Sequence, residues 1–320
     1  MRKETEGVVA ARRGGQEERA RHRGGAGPSV PGECSGGFQS LFDRAGDPIL
    51  GARSGGACPR LSFDLLESRS MLSSRWVAVP LSALVWTSYV LIVILWTPAV
   101  ALFRLATFPF DRNRRRVGRL FHLSAVLAGT LTPFWKFRIM GADAIDARRP
   151  HVFVANHSSF TDVFLVVRLP WEMKWLAKKS LFSIPLLGWQ MRLAGDVPIS
   201  RGDRESRHQA LAEMHRRLTS GVSVILFPEG TRSPDGTLGE FRDGAFRLAI
   251  DAGVDVVPLA ISGAARSLPK RSLVFRPSTA TLRVLPPVAT AGYSAADAHR
   301  LGTAVRDAIE SAIRAASPAA

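Results

Sequence analysis

The sequence predicts an α/β fold: a largely parallel sheet flanked by helices, with an N-terminal hydrophobic membrane helical element ahead of it. Three observations predict this. Beyond residue 135, short apolar runs alternate with longer amphipathic segments, and strand–helix alternation builds a parallel sheet. Polar residues able to do chemistry follow directly on several of those runs, and open α/β sheets take their ligands beyond the carboxyl ends of the strands. Ahead of the alternating part lies a run of 27 residues without a charge, Val77–Phe103.

Residues 1–70 mix Arg, Gly, Pro and Glu without apolar periodicity, as in RRGGQEERARHRGGAGPSVPGECSGG. Such a segment buries too little apolar surface to offset its ordering entropy, which predicts a disordered extension. Met71 opens a stretch that reads like an ordinary start, MLSSRW, so residues 1–70 are expected to be dispensable. Both cysteines, Cys34 and Cys58, fall in this extension. No CxxC pair exists, and no thiol nucleophile is available later in the chain.

Residues 71–125 form the expected membrane-associated helical element. The uncharged run exceeds the roughly 20 residues that cross a bilayer. Trp76 and Trp96 suit the two interfaces, and Arg75 and Arg104 bracket the run. Pro80 and Pro98 interrupt it. A kink at Pro98 would leave a helix that spans partly or dips and returns, and a buried core helix is the plain alternative. Next, FPFDRNRRRVGRL sets Arg104, Arg112, Arg114, Arg115, Arg116 and Arg119 against one acid, Asp111. Basic residues beside an apolar run favour the cytoplasmic leaflet. That predicts a location on the cytoplasmic face of the inner or plasma membrane.

Residues 126–292 carry the α/β pattern. Strands are predicted at HVFVAN (151–156), KWLAKK (174–179), VSVILF (222–227), DVVPLAI (255–261) and ATLRVL (280–285). Helices are predicted from Asp203, with Leu211, Met214 and Leu218 on one face and Gly221 past the end, and from about Phe241 to Ala252. Residues 293–320 form a closing helix that packs on the domain. It is capped by Ser294 and has Leu301, Val305, Ile309 and Ile313 at helical spacing.

The chain of 320 residues carries a formal charge of +16. Most of the excess lies after residue 70, where 32 Lys/Arg face 18 Asp/Glu. An anionic partner follows: a phospholipid surface, a phosphorylated substrate or nucleic acid.

Three constellations carry possible chemistry. In FVANHSSFTDVF, Asn156-His157 ends a predicted buried strand and SSFTD reads as a helix start. Asp162 can fold back onto one imidazole nitrogen and leave the other as a base for a hydroxyl. A polar turn between two core elements has the same appearance. In LFPEGTRSPDG, Gly230 allows close backbone approach, Thr231 offers a hydroxyl, and Arg232 a fork for phosphate. Glu229 there can hold an arginine or a substrate hydroxyl; a strand–turn with a surface ion pair reads equally well. In GDVPISRGDR, Arg201 can meet phosphate or pair with Asp203 or Glu205. Upstream, Lys174, Lys178 and Lys179 beside the apolar 182–189 patch suit a phosphorylated amphiphile, or a half-buried strand with an exposed edge. No GxSxG, HExxH or GxxxxGK[ST] motif occurs. A base without a protein nucleophile suggests direct attack by a substrate hydroxyl.

Together these blocks resemble the glycerolipid acyltransferase family, the 1-acyl-sn-glycerol-3-phosphate acyltransferase type with its HxxxxD motif. NHSSFTD matches its first block, GDVPISR the second, FPEGTRS the third and VVPLAI the fourth, with Pro258 at the family's proline. Order and spacing agree over about residues 130–265. The resemblance implies that His157 deprotonates the free hydroxyl of lysophosphatidic acid, with Asp162 orienting it. That hydroxyl then attacks an acyl thioester carried by coenzyme A or acyl carrier protein, giving phosphatidic acid. Lys178, Arg201, Glu229, Gly230, Thr231 and Arg232 would bind the acceptor. No cofactor or metal is implied, and the partners are the lipid substrate, the thioester carrier and an anionic membrane surface rather than nucleic acid. Two departures stand out: Ser200 replaces the family's acid before Arg201, and Arg242 stands where Lys is common. The first keeps open another lyso-lipid acceptor, a lyso-ornithine lipid or a lysophospholipid. A catalytically silent module that binds anionic lipid or nucleic acid is the reading from a different class.

Overall fold

The computed structural model describes residues 74–316, apart from 147, 234–235 and 270–271. The extension expected over residues 1–70 lies outside the described residues.

The uncharged run forms one helix, α1 (Arg75–Thr107), continuous through Pro80 and Pro98. Pro98 removes a backbone donor, and the turn ahead of it is tied from outside. Gln190 donates through Nε2 to Val93 O at 3.0 Å and Thr97 Oγ1 at 2.7 Å. The helix runs through Pro98 without interruption. At ~1.5 Å per residue α1 is about 50 Å long. One stripe, including Ala78, Ser82, Val85, Tyr89 and Val100, is buried, while Leu84, Leu91, Leu95, Leu102 and Leu105 are exposed. Trp96, expected at a membrane interface, instead donates to Leu120 O at 2.8 Å. Leu120 belongs to α2 (Arg115–Thr130), which folds back along α1. Asp111, the lone acid among the arginines, caps α2 by accepting from Arg115 N at 2.8 Å and Val117 N at 3.1 Å. Arg114, Arg115 and Arg119 donate to the carbonyls of Arg192, Gly221 and Pro170. Half of the basic cluster thus binds protein, while Arg112 and Arg116 face solvent.

Among the described residues, seven strands form one sheet in the order β1-β7-β6-β2-β5-β3-β4. They are β1 (Trp135–Met140), β2 (Val152–Ala155), β3 (Met173–Lys178), β4 (Val197–Ile199), β5 (Ser223–Leu226), β6 (Val256–Ser262) and β7 (Ser278–Val284). Every pairing is parallel except β6 with β7. β1 and β7 therefore run against the other five strands, and the carboxyl ends of β6, β2, β5, β3 and β4 share one edge. The sequence reading missed the two edge strands, β1 and β4. β4 contains Pro198, which an edge strand tolerates.

The helices between strands are α3 (Thr161–Val166), α4 (Leu187–Ala194), α5 (Arg204–Thr219) and α6 (Gly244–Ala252), and α7 (Ala298–Ala316) closes the chain. α6 starts three residues later than the sequence suggested. Ser294 forms a capping box with Asp297 around a short 3-10 turn ahead of α7. Side chains alternate across a strand, so β2 feeds two cores. Val152 and Val154 pack with Met214, Phe246, Leu301, Val305 and Ile309. Phe153 and Ala155 pack with Leu165, Val257, Ile261 and Leu282 on the opposite face. Burial on both faces explains why the strands read as unbroken apolar runs.

Lys174 corrects a sequence expectation. Grouped there with Lys178 and Lys179 as suiting a phosphorylated amphiphile or a half-buried strand with an exposed edge, it is fully buried. Its ammonium donates to Glu172 Oε1 and to Arg114 O, both at 2.7 Å. Glu172 also meets His122 Nδ1 of α2 at 3.3 Å, so this ion-pair group clamps α2 to β3. Gly118 makes the fit possible, because a Cβ there would collide with both charged groups.

Candidate active site

The chain leaves β2 at Ala155 and turns through HSSFTD into α3. Asn156 extends the sheet by a side chain: its Nδ2 donates to Ile261 O at 2.9 Å and its Oδ1 accepts from Ile261 N at 2.8 Å. His157 therefore starts from a backbone position fixed to β6. Asp162 in the first turn of α3 is wholly buried and folds back. Its Oδ2 accepts from Ser158 N at 2.7 Å and Ser159 N at 2.8 Å, and lies 2.8 Å from His157 Nδ1. An acceptor-only carboxylate assigns the proton to Nδ1, leaving the lone pair on Nε2. The imidazole stacks on Phe227, centroid to centroid 4.2 Å. The ring is held by a carboxylate on one side and an aromatic face on the other.

The loop after β5 is bolted to this turn. Glu229 Oε1 accepts from His157 N at 2.7 Å, and its Oε2 from Gly239 N at 3.2 Å. Ser233 N donates to His157 O at 2.9 Å. Glu229 thus holds main-chain donors, where the sequence reading gave it an arginine or a substrate hydroxyl. Burial raises its carboxyl pKa, a rise opposed by the N–H groups of His157 and Gly239 and by the imidazole. Gly230 lies at φ +73°, a conformation that favours glycine, and a Cβ there would come within 3.0 Å of the Arg242 guanidinium.

Arg232, between Glu229 and Ser233, belongs to the same loop. Arg201 follows β4 at the same edge of the sheet. Burial lowers the Arg201 pKa, and the charges of Arg242 and Arg232 lower it further. Arg232 and Arg242 therefore both lie in the neighbourhood of Arg201. Among the described residues none of the three pairs with a carboxylate. Such a cluster suits a dianion such as a phosphate monoester. Thr231 is exposed beside it, and Lys178 is exposed at the carboxyl end of β3. Ser200, the unusual residue of the second block, donates its N–H to Ser206 Oγ at 2.9 Å. Sequence reasoning missed Arg242 as a member of the cluster. Its only signal was a basic residue ahead of α6 at the family's lysine position.

An imidazole held by a buried carboxylate thus sits at the carboxyl edge of the parallel strands, the edge that also carries Arg201 and Arg232. The Acyltransferase family model matches residues 136–262, which contain all of these residues. A 1-acyl-sn-glycerol-3-phosphate acyltransferase of Arabidopsis thaliana, the chloroplastic LPAT1, is 36% identical over 228 residues, 68% of this chain and 60% of its own. One from Limnanthes douglasii is 30% identical over 62% of this chain and 71% of its own. The crystal structure of PlsC, a 1-acyl-sn-glycerophosphate acyltransferase from Thermotoga maritima, superposes with a TM-score of 0.66 at 26% identity. The match covers 79% of this chain and 100% of that one. The chain belongs to the glycerolipid acyltransferase family. It spans 55–62% of the length of three of the algal and plant relatives it matches.

Proposed function

We propose that this protein is a 1-acyl-sn-glycerol-3-phosphate O-acyltransferase, moving an acyl group from a thioester to the free hydroxyl of lysophosphatidic acid. The observation that carries the reading is the 2.8 Å contact of His157 Nδ1 with the buried Asp162 carboxylate. The names of its relatives support the same acceptor.

His157 Nε2 takes the proton of the lipid hydroxyl as its oxygen attacks the thioester carbon. Asp162 stabilises the imidazolium that forms. The carbon–sulfur bond breaks, and the thiolate recovers the proton from the imidazolium. Arg201, Arg232 and Arg242 receive the acceptor phosphate, with Gly230, Thr231 and Lys178 beside them. Glu229 serves this site by fixing the His157 backbone. The thioester carrier is coenzyme A or acyl carrier protein, and the reaction uses neither a metal nor a redox cofactor.

The protein works at the cytoplasmic face of the membrane. Among the described residues α1 is the one helix long and apolar enough to cross a bilayer. Its protein-facing stripe extends from Ala78 to Thr107, which supports a helix lying in the interface beside the domain. The outward leucines of α1, with Phe108 and Phe110, would enter the acyl region, and Arg112 and Arg116 would meet anionic headgroups.

The test supplies purified protein in mixed micelles with lysophosphatidic acid and an acyl thioester on either carrier. Lyso-ornithine lipid and lysophosphatidylcholine compete as acceptors. Phosphatidic acid formation with matching thiol release is expected. No product from either donor, or preference for a competing lyso-lipid, overturns the proposal.

A further inference from the structure

The loop from β6 to β7 touches α1 on one side and the HSSFTD turn on the other. Toward α1, Phe275 N donates to Ser82 Oγ at 2.9 Å, and Trp86 Nε1 donates to Leu273 O at 2.8 Å. Ser82 is 2% exposed, a polar residue on the protein-facing stripe of an apolar helix. Toward the catalytic turn, Ser267 Oγ lies 2.9 Å from Ser159 Oγ and also contacts Thr161 Oγ1. Ser267 gives its own proton to Ala264 O at 2.5 Å, so it accepts from both neighbours. All three hydroxyl residues are completely buried. Arg276 N closes the loop on Ser267 O at 2.9 Å.

A second route is direct. The Trp86 ring lies 5.1 Å from Phe275 and 6.1 Å from Phe160, and Tyr89 lies 5.5 Å from Phe164. Phe160 and Phe164 stand two residues either side of Asp162. Ser159, whose hydroxyl Ser267 holds, is also one of the two backbone donors to the Asp162 carboxylate.

We infer that Ser82, Trp86 and Ser267 are positioning residues that brace the His157–Asp162 turn against α1 through the β6–β7 loop. α1 is then part of the catalytic scaffold as well as a membrane-facing element. A buried hydroxyl cluster has few alternative arrangements, because each lost acceptor strands another group's donor away from water. Loosening the brace leaves the acceptor cluster in place and tilts the turn that carries the base. A misplacement of ~1 Å at the reacting groups is enough to cost ~10²-fold in rate.

The inference rests on the acyl-transfer reading, and its test separates the two. Trp86→Phe keeps an aromatic ring, smaller than the indole, and removes the N–H; Ser267→Ala removes the hydroxyl cluster's shared acceptor. Trp76→Ala, on the outward face and 91% exposed, is the control. Each protein is assayed in detergent with lysophosphatidic acid and an acyl thioester, and its co-sedimentation with phosphatidylglycerol vesicles is measured. Trp86→Phe and Ser267→Ala are expected to lose ~5–50-fold in kcat, with KM for lysophosphatidic acid within about twofold and vesicle binding unchanged. In an Asp162→Asn background neither substitution should lower kcat further. Trp76→Ala should keep full kcat in detergent. Should Ser267→Ala fail to fold, Ser82→Ala takes its place with the same expectation. Wild-type kcat in Trp86→Phe together with Ser267→Ala or Ser82→Ala overturns the inference while leaving acyl transfer standing. So do losses that multiply unchanged in the Asp162→Asn background. An inactive wild type overturns the acyl-transfer reading and this inference with it.

Discussion

Asp162→Asn puts the largest local load on the smallest chemical change. One oxygen of Asp162 faces three donors, His157 Nδ1–H and the N–H groups of Ser158 and Ser159, all within 2.8 Å. The residue has no exposure to water. If the asparagine oxygen keeps that position, the imidazole retains its tautomer but loses the negative charge that stabilises its protonated form. If the amide flips, its N–H groups oppose three donors and drive the proton to Nε2, the nitrogen that must stay bare. The second case costs about 10⁴ in kcat in the serine-protease template. The first costs less, on the order of 10², since bonds to ionised partners are roughly twice as strong as neutral ones. The predicted fall is therefore ~10²–10⁴ in kcat, or ~3–5.5 kcal/mol of transition-state stabilisation. KM for lysophosphatidic acid should stay within about threefold, because the acceptor cluster is untouched. The assay follows thiol release from an acyl thioester at saturating acceptor, with thermal unfolding alongside to show that the variant is folded. A folded Asp162→Asn protein with kcat within tenfold of wild type refutes the reasoning.

Arg242→Gln removes one charge of the three-arginine cluster. Losing one charge-assisted hydrogen bond should raise KM for lysophosphatidic acid ~10–100-fold with kcat little changed, and steady-state kinetics showing an unaltered KM would remove Arg242 from the site. Asp196, buried below β3, has its carboxyl pushed up to about 6 by burial, against the pull of His122, Lys174 and the Trp175 N–H. The folded state therefore holds this proton more tightly than the unfolded chain. Its contribution to stability is full below about pH 4 and is lost as pH rises to about 6, a drop of order 2–3 kcal/mol. Urea titrations of Asp196→Asn should lack that fall between pH 4 and 6, and a pH dependence equal to wild type would contradict the assignment. Gly118→Ala should force apart the Glu172–Lys174 pair beneath α2 and destabilise the protein by ~3–5 kcal/mol. A melting temperature unchanged from wild type would show that the clamp yields more easily than its packing implies.

Strands buried on both faces were legible because nothing in them had to be polar: β2, β5 and β6 are nearly all apolar, and their carboxyl ends marked the site. The edge strands were not. β1 carries Lys136 and Arg138 on its outer side, and β4 has three residues including a proline. The His157–Asp162 pair could be read because a short turn brings both groups together with no help from distant chain. Arg242 could not, since it joins Arg201 and Arg232 only through the folded loop over Gly230. Glu229 was seen, but its partners are backbone N–H groups, which leave no trace in a sequence. Lys174 carried a usable signal. It stands two residues from Glu172, on the same side of the strand, and that pair is what makes its burial tolerable. Pro98 does not end the helix, and a side chain from α4 ties the turn ahead of the proline, a contact between distant segments that the local sequence does not show.

The central claim is that one imidazole removes the proton from a lipid hydroxyl. The direct measurement is single-turnover formation of phosphatidic acid by purified wild type and His157→Ala, given an acyl thioester and lysophosphatidic acid in the same micelles. Wild type is predicted to form product, and the folded His157→Ala protein to form it at least ~10³-fold more slowly. Product formation by His157→Ala within tenfold of wild type would contradict the account.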